Sequence, residues 1–369
     1  MRQRTDDDYR DDTVEMLILD ALHKVVDRRD LSADEACAAM EEMMSGRACD
    51  PQIAAFLTAL RLKGETAAEI TGFARAMRAH VCRIRVRGPA ERAGGETGGG
   101  RLVDTCGTGG DAAHTFNIST AAAFVVAGAG VQVAKHGNRS VSSRCGSADV
   151  MEALGVDLTL APEQVGACID EVGIGFLYAP LLHPAMRHVM TARREIRIRT
   201  VFNILGPLTN PAQAPAQVVG VYEPRLTELL ATVLVALGSE RAFVVCGLDG
   251  LDELSPALQS RVSEIKDGQV HTYMLAPEDF GFARASLDDL QGGGAGENAQ
   301  MIRAILTGER GPKRDVVIMN AALAVIAGGT ADDIQSGAKL AAMSIDSGAA
   351  IEKLRALVEF SRRHGRQAA

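Results

Sequence analysis

Asp104-Thr-Cys-Gly-Thr-Gly-Gly-Asp111 follows the apolar pair Leu102-Val103, which reads as the end of a strand. Gly107, Gly109 and Gly110 fall in one tight loop, where glycine admits positive φ and lets a ligand approach the main chain. Successive free N–H groups in such a loop form a concave anion site. Two more polar runs follow, Thr115-Phe-Asn-Ile-Ser-Thr120 and Lys135-His-Gly-Asn-Arg-Ser-Val-Ser-Ser143. Three phosphate-compatible loops so close together point to a ligand with more than one phosphate.

Beyond residue 100, strand and helix patterns alternate. The strand candidates are Val131–Ala134, Ile174–Tyr178, Val218–Tyr222 and Ala242–Cys246. The helix candidates include Ile118–Ala129, Ser147–Leu154, Pro162–Val172 and Pro224–Leu237, and the chain reads as helical after Asn298. Such alternation predicts a largely parallel sheet covered on both faces, with a binding crevice beyond the carboxyl ends of its strands. Residues 14–87 read as helices alone. Ser32/Glu35 and Thr66/Glu69 form capping boxes, and Asp50-Pro51 reads as an N-cap followed by proline. The expected fold class is α/β: a small all-helical N-terminal domain plus a larger α/β domain (101–369) with a mostly parallel central sheet flanked by helices. Residues 1–13 read as a disordered acidic tail. Residues 88–100 read as a Gly-rich linker, either hinge or surface loop, and the 184–200 segment is expected to join the helical domain.

Composition narrows the function. The net charge is −8, which disfavours a broad nucleic-acid surface. No run of apolar residues is long enough to span a membrane, and the N-terminus has no apolar leader core. The seven cysteines form no C-x-x-C pair, which fits reduced thiols in a cytoplasmic protein. Cys106 lies in the glycine loop, as a nucleophile or as inert packing.

Gly107-x-Gly109-x-x-Ala112 also fits a dinucleotide fingerprint. Against that, the next strand ends in Lys135 where such a site wants an acidic residue, and no P-loop motif occurs. Asn117, Ser119 and Thr120 open a helix, where free amides and the dipole favour phosphate; ordinary capping is the other reading. Lys135 to Ser143 reads as an anion loop or a charged turn. Asp252-Glu253 are adjacent carboxylates after a strand, suited to Mg²⁺ or to a solvated turn. Arg187, Arg193, Arg194, Arg197 and Arg199 form a basic patch from which one guanidinium could hold a carboxylate. His183 beside it reads as structural.

Gly107-Thr-Gly-Gly-Asp111, Asn117-Ile-Ser-Thr120, Lys135-His-Gly-Asn-Arg139, Gly146-Ser-Ala-Asp149, Asn203-Ile-Leu-Gly-Pro-Leu-Thr-Asn-Pro211 and Leu251-Asp-Glu253, in this order and spacing, closely resemble the anthranilate phosphoribosyltransferase family. The resemblance runs from about Leu17 to the C-terminal helices. It implies a homodimer that transfers phosphoribosyl from phosphoribosyl pyrophosphate to the amine of anthranilate, the second step of the tryptophan branch. Carried over by position, Gly107, Gly110, Asp111, Thr115, Asn117, Ile118, Ser119, Thr120, Lys135, His136, Gly137, Asn138, Arg139, Ser140, Val141, Ser142, Ser143 and Ser147 would hold the donor. Ser119, Asp252 and Glu253 would ligate two Mg²⁺ ions per subunit. Gly107, Asn138 and Arg193 would contact anthranilate, Arg193 facing its carboxylate. No single nucleophile or base is expected, with Lys135, Asn138 and Arg193 positioning the reactants. Cys246, Arg197 and Ser255-Pro-Ala257 depart from the family pattern, near the metal loop and hinge. Two other readings share the fold: a pyrimidine nucleoside phosphorylase, and a non-catalytic nucleic-acid-binding relative.

Overall fold

Ser32 and Thr66 start helices by reciprocal pairing. Glu35 N–H donates to Ser32 Oγ (3.2 Å), and Ser32 N–H to the Glu35 carboxylate (2.8 Å). Thr66 N–H donates to Glu69 Oε2 at 2.8 Å. The computed structural model describes residues 18–87, 100–111, 113–140 and 144–365. The acidic tail 1–13, linker residues 88–99 and the donor candidates Val141, Ser142 and Ser143 lie outside the described residues.

The first helices are α1 (Ile18–Val26), α2 (Ala33–Met44), α3 (Asp50–Lys63) and α4 (Ala67–Ala79). α3 differs by one residue from the sequence reading. Cys49 is its N-cap, because Gln52 Oε1 accepts from Cys49 N–H at 2.9 Å, which leaves Pro51 in the second helical position. Glu69 does more than cap. Fully buried, it also accepts from Leu31 N–H (3.0 Å) and pairs with Lys63 (3.0 Å). Glu69→Ala is therefore expected to cost about 3 kcal/mol, because it strands the Leu31 and Thr66 amides and leaves the Lys63 ammonium with only Asp30 of its two carboxylates. Urea unfolding measures this, and a change under about 1 kcal/mol would contradict it.

The chain continues through β1 (Val103–Gly107), α5 (Ile118–Gly128), β2 (Val133–Gly137), α6 (Ser147–Ala153), α7 (Pro162–Val172), β3 (Ile174–Tyr178), α8 (Arg187–Ile196), β4 (Ala216–Gly220), α9 (Arg225–Ala236) and β5 (Arg241–Gly247). β6 (Ser260–Lys266), β7 (Gln269–Leu275), α10 (Ala295–Leu306), α11 (Pro312–Ala327), α12 (Ile334–Asp346) and α13 (Ala349–His364) complete it. The sheet order is β3-β2-β1-β4-β5-β6-β7. The first five strands in that order are parallel, and β6 and β7 are antiparallel. Successive residues of β5 point to opposite faces. Phe243 and Val245 join a core with α5, α7 and α10–α13, while Ala242, Val244 and Cys246 join one with α1–α4, α8 and α9.

The sheet corrects the sequence reading at five strands. β2 and β4 are displaced from the expected ranges, and β1 extends through Gly107 into what reads as loop. β6 and β7 are absent from the expected strands. Their turn, Asp267-Gly268, has both residues at positive φ (53° and 73°), the signature of a two-residue hairpin.

From β1 the chain passes to β2 and β3 on one side, then returns to place β4 on the other side of β1. The carboxyl ends of β1 and β4, Gly107 and Gly220, are paired in register. They flank the reversal point, where open α/β sheets bind ligands.

Candidate active site

Two glycines let the Asp252 loop settle on that reversal point. A Cβ on Gly220 would lie 1.5 Å from the Asp252 carbonyl, and one on Gly107 would lie 2.4 Å from Asp252 Oδ2. Thr108 N–H donates to Gly220 O (2.9 Å), tying the glycine loop to the end of β4. Asn320, buried in α11, accepts from Leu254 N–H at 3.1 Å and fixes the far end of the acidic pair.

The amides expected to bind phosphate already face carboxylates. Gly109 N–H donates to Asp252 Oδ2 (2.7 Å), and Ser119 N–H, in the first turn of α5, donates to Glu253 Oε1 (3.1 Å). Asn117 caps nothing with its side chain. Its Oδ1 accepts from Asn298 (2.9 Å) and its Nδ2 donates to Cys145 O (3.2 Å). Thr120 Oγ1 is buried without a hydrogen-bond partner among the described residues. Thr115 pairs with Gln291 in an isolated bridge.

Lys135 and His136 lie in β2, which corrects the reading of an open anion loop from residue 135. Lys135 is 1% exposed. Its ammonium donates to Thr105 O and reaches Ser119 Oγ at 3.5 Å, so it sits beneath the loops. Beside it, buried Asp104 accepts from His136 N–H (3.1 Å) and Asn210 Nδ2 (2.7 Å). Asp104 and Asn210 carry no expected role in the sequence. Polar residues in a strand are the signal for the first, and a glycine-proline turn for the second.

This group of charges is short of cations. Burial and the nearby Asp111 charge push Asp252 up to about 7, and burial and Asp252 raise Glu253 well above the usual range. Asp104 is raised by burial although Lys135 opposes the shift. The donors present are Asp252, Glu253 and the Ser119 hydroxyl, all oxygen. Among the described residues no group of three His, Cys, Asp or Glu side chains is arranged to hold a metal alone. An incomplete oxygen set with excess negative charge fits Mg²⁺, which keeps waters and takes ligands from substrate phosphates.

Cys106 is buried in an environment that disfavours the thiolate. Burial and Asp104 raise its thiol well above the ordinary value, away from the reactive thiolate. All seven cysteines are free thiols.

His136 and His183 face each other through Nε2 at 3.1 Å. Burial, with His183 adding to it, lowers His136 to about 3, and burial lowers His183 to about 4. Both rings are neutral near pH 7. For such depressed values, the stabilisation is present above the unfolded value of 6.5 and is lost as pH falls toward 4 and 3. Unfolding free energy should therefore drop across that window, and His136→Asn with His183→Asn should flatten the drop. An unchanged slope would contradict this pairing.

Arg193, on α8, stacks over Phe202 with the guanidinium 4.9 Å from the ring centre. It has no carboxylate partner among the described residues, makes no hydrogen bond to Gly107 or Asn138, and burial lowers its pKa. Arg199 stacks on Tyr222 at 4.6 Å and donates to Gly110 O. Asn138, Arg139, Ser140 and Ser147 cluster at the start of α6, with Asn138 N–H donating to Ser147 Oγ (3.2 Å).

Residues 99–351 match the model of the glycosyl transferase family a/b domain, and residues 19–81 match the helical bundle domain of the same family. An anthranilate phosphoribosyltransferase of Pelotomaculum thermopropionicum is 58% identical over 345 residues, covering 94% of this chain and 97% of the relative. The chain belongs to the anthranilate phosphoribosyltransferase family. The family member from Thermus thermophilus has the same fold, with TM-score 0.86 and 44% identity over 93% of this chain and 99% of that one. The Saccharomyces cerevisiae enzyme, solved in complex with PRPP and Mg, superposes with TM-score 0.83 at 29% identity, covering 94% of this chain and 98% of that one.

The departures from the family pattern now have local explanations. Cys246 is fully buried, its thiol turned to the Gly247 carbonyl at 3.4 Å. Arg197 takes the left-handed conformation at the end of α8, φ 49°. Ser255 Oγ donates to Asp249 and accepts from Ala257 N–H (3.0 Å) and Leu258 N–H (2.9 Å). It thereby closes the turn after the acidic pair.

Proposed function

We propose that this chain transfers the phosphoribosyl group of phosphoribosyl pyrophosphate to the amine of anthranilate, releasing pyrophosphate, as the second step of the tryptophan branch. The observation that carries this reading is the meeting, at the sheet's reversal point, of the glycine-loop and α5 amides with a buried acidic pair whose charge Lys135 offsets only in part. Family membership over nearly the whole chain supports it independently.

The residues divide the work as follows. Asp252, Glu253 and the Ser119 hydroxyl would hold Mg²⁺, which screens charge on the departing pyrophosphate. When the two carboxylates turn to a cation, the Gly109 and Ser119 amides are released for phosphate oxygens. Lys135 supports Ser119 from below and offsets part of the buried acidic charge. Arg193, without a carboxylate partner among the described residues and partly desolvated, suits the anthranilate carboxylate, since a guanidinium fork matches a carboxylate's two oxygens. An aromatic amine is unprotonated at neutral pH, so no strong base is required and positioning supplies much of the rate. A direct displacement at C1 goes with this reading, since burial and Asp104 disfavour the Cys106 thiolate. Detection of a covalent ribosyl-enzyme would refute that step.

Two ions per subunit, a homodimer and a cytoplasmic location go with this proposal, as does the division into a helical domain (14–87) and an α/β domain (101–369). Titration calorimetry and sedimentation test the first two. The function itself is tested by following anthranilate fluorescence. Its loss on adding phosphoribosyl pyrophosphate with Mg²⁺ is expected, whereas thymidine phosphorolysis with anthranilate untouched would overturn the proposal.

A further inference from the structure

We propose that Arg139 is a positioning residue that does not itself bind phosphate. With Asp149 and Glu152 it braces Asn138–Ser140 against the start of α6. The inference rests on the phosphoribosyltransferase reading and revises the role that the sequence resemblance gives Arg139.

The guanidinium is already committed. Its Nε donates to the Tyr178 hydroxyl (3.2 Å), Nη1 to Asp149 Oδ1 (3.0 Å) and Glu152 Oε2 (2.9 Å), and Nη2 to Glu152 Oε1 (3.2 Å). Those four bonds occupy most of the five N–H donors an arginine carries. Two carboxylates face one guanidinium, so an approaching phosphate would meet net negative charge there.

Asp149 turns this cluster into a brace. Its other oxygen accepts from Ser140 N–H (3.1 Å) and Gly146 N–H (2.9 Å). One carboxylate thus holds both sides of the loop and caps α6. A Cβ on Gly146 would stand 2.3 Å from Ser140 N and 2.6 Å from Asn138 O, so the two backbones touch. Asn138 is held from within the same turn: its carbonyl accepts from Ala148 N–H at 3.1 Å and Ser147 Oγ at 3.3 Å. Tyr178 pairs in register with Gly137, so the brace also reaches β3. Arg139 itself is exposed, and its effect falls on Asn138–Ser140 at the site rather than on the core.

Glu152→Gln separates this role from direct donor binding by the sign of its effect. If Arg139 braces, weakening its anchor raises donor KM by about fivefold, the size of an exposed ion-pair network. Asp149→Asn should act in the same direction and Arg139→Lys should retain part of the wild-type value. If Glu152 instead holds Arg139 back from phosphate, Glu152→Gln lowers donor KM, and the proposal is overturned. Amide hydrogen exchange at Asn138–Ser140 reads the brace without turnover. Faster exchange in Glu152→Gln is expected, and unchanged exchange would also overturn it. Absence of phosphoribosyl transfer in the wild type would sink the functional reading and leave the exchange result standing.

Discussion

Asp252→Asn combined with Glu253→Gln should lower Mg²⁺-dependent kcat by about 10³-fold, the scale of losing electrostatic support for a leaving group, while the metal-free protein melts at a higher temperature. The two halves share one cause. Burial and the Asp111 charge raise Asp252, and burial and the Asp252 charge raise Glu253, so their ionised forms oppose folding when no cation is near. Asparagine and glutamine keep a carbonyl oxygen for the Gly109 and Ser119 amides without the charge. Calorimetry should show the Mg²⁺-induced stabilisation of the wild type disappearing in the double variant. Full activity would place the ions elsewhere, and a lower melting temperature would mean that the pair is structural.

Arg193→Ala should raise the anthranilate KM by about 10- to 100-fold, the value of a charge-assisted hydrogen bond to a carboxylate, with donor KM within about twofold. The guanidinium rests on Phe202, so alanine also removes packing, and aniline provides the control. Aniline lacks the carboxylate, so wild type and variant should use it about equally poorly. If the variant loses aniline and anthranilate turnover alike, the residue supports the site through Phe202 instead.

What the sequence disclosed of the fold came from local rules. Pro162 and Gly173 bracket α7, and five consecutive apolar, aromatic or glycine residues mark β3; both elements fall where the pattern predicts. β1 was legible only at its start, Leu102-Val103, because Asp104, Thr105 and Gly107 do not look like a buried strand. Asp104 is tolerated there through His136 and Asn210, the latter 106 residues away. β6 was missed because Arg261, Ser263 and Glu264 interrupt its apolar pattern, although the Asp267-Gly268 turn was available as a signal. At the site, residue types and order singled out segments that the fold brings together, the glycine loop and the start of α5 against Asp252-Glu253. Partnership was invisible: that Glu253 would meet Ser119, that Lys135 would lie beneath the loops, and that Arg139 would be occupied by Asp149 and Glu152 depend on contacts that no periodicity encodes.

A crystal soaked with phosphoribosyl pyrophosphate and Mg²⁺ bears most directly on the central claim. The diphosphate is expected over the reversal point between Gly107 and Gly220, with the Gly109 and Ser119 amides on its oxygens and cation density against Asp252 and Glu253. A diphosphate bound elsewhere, with those two amides still donating to the carboxylates, would contradict the account.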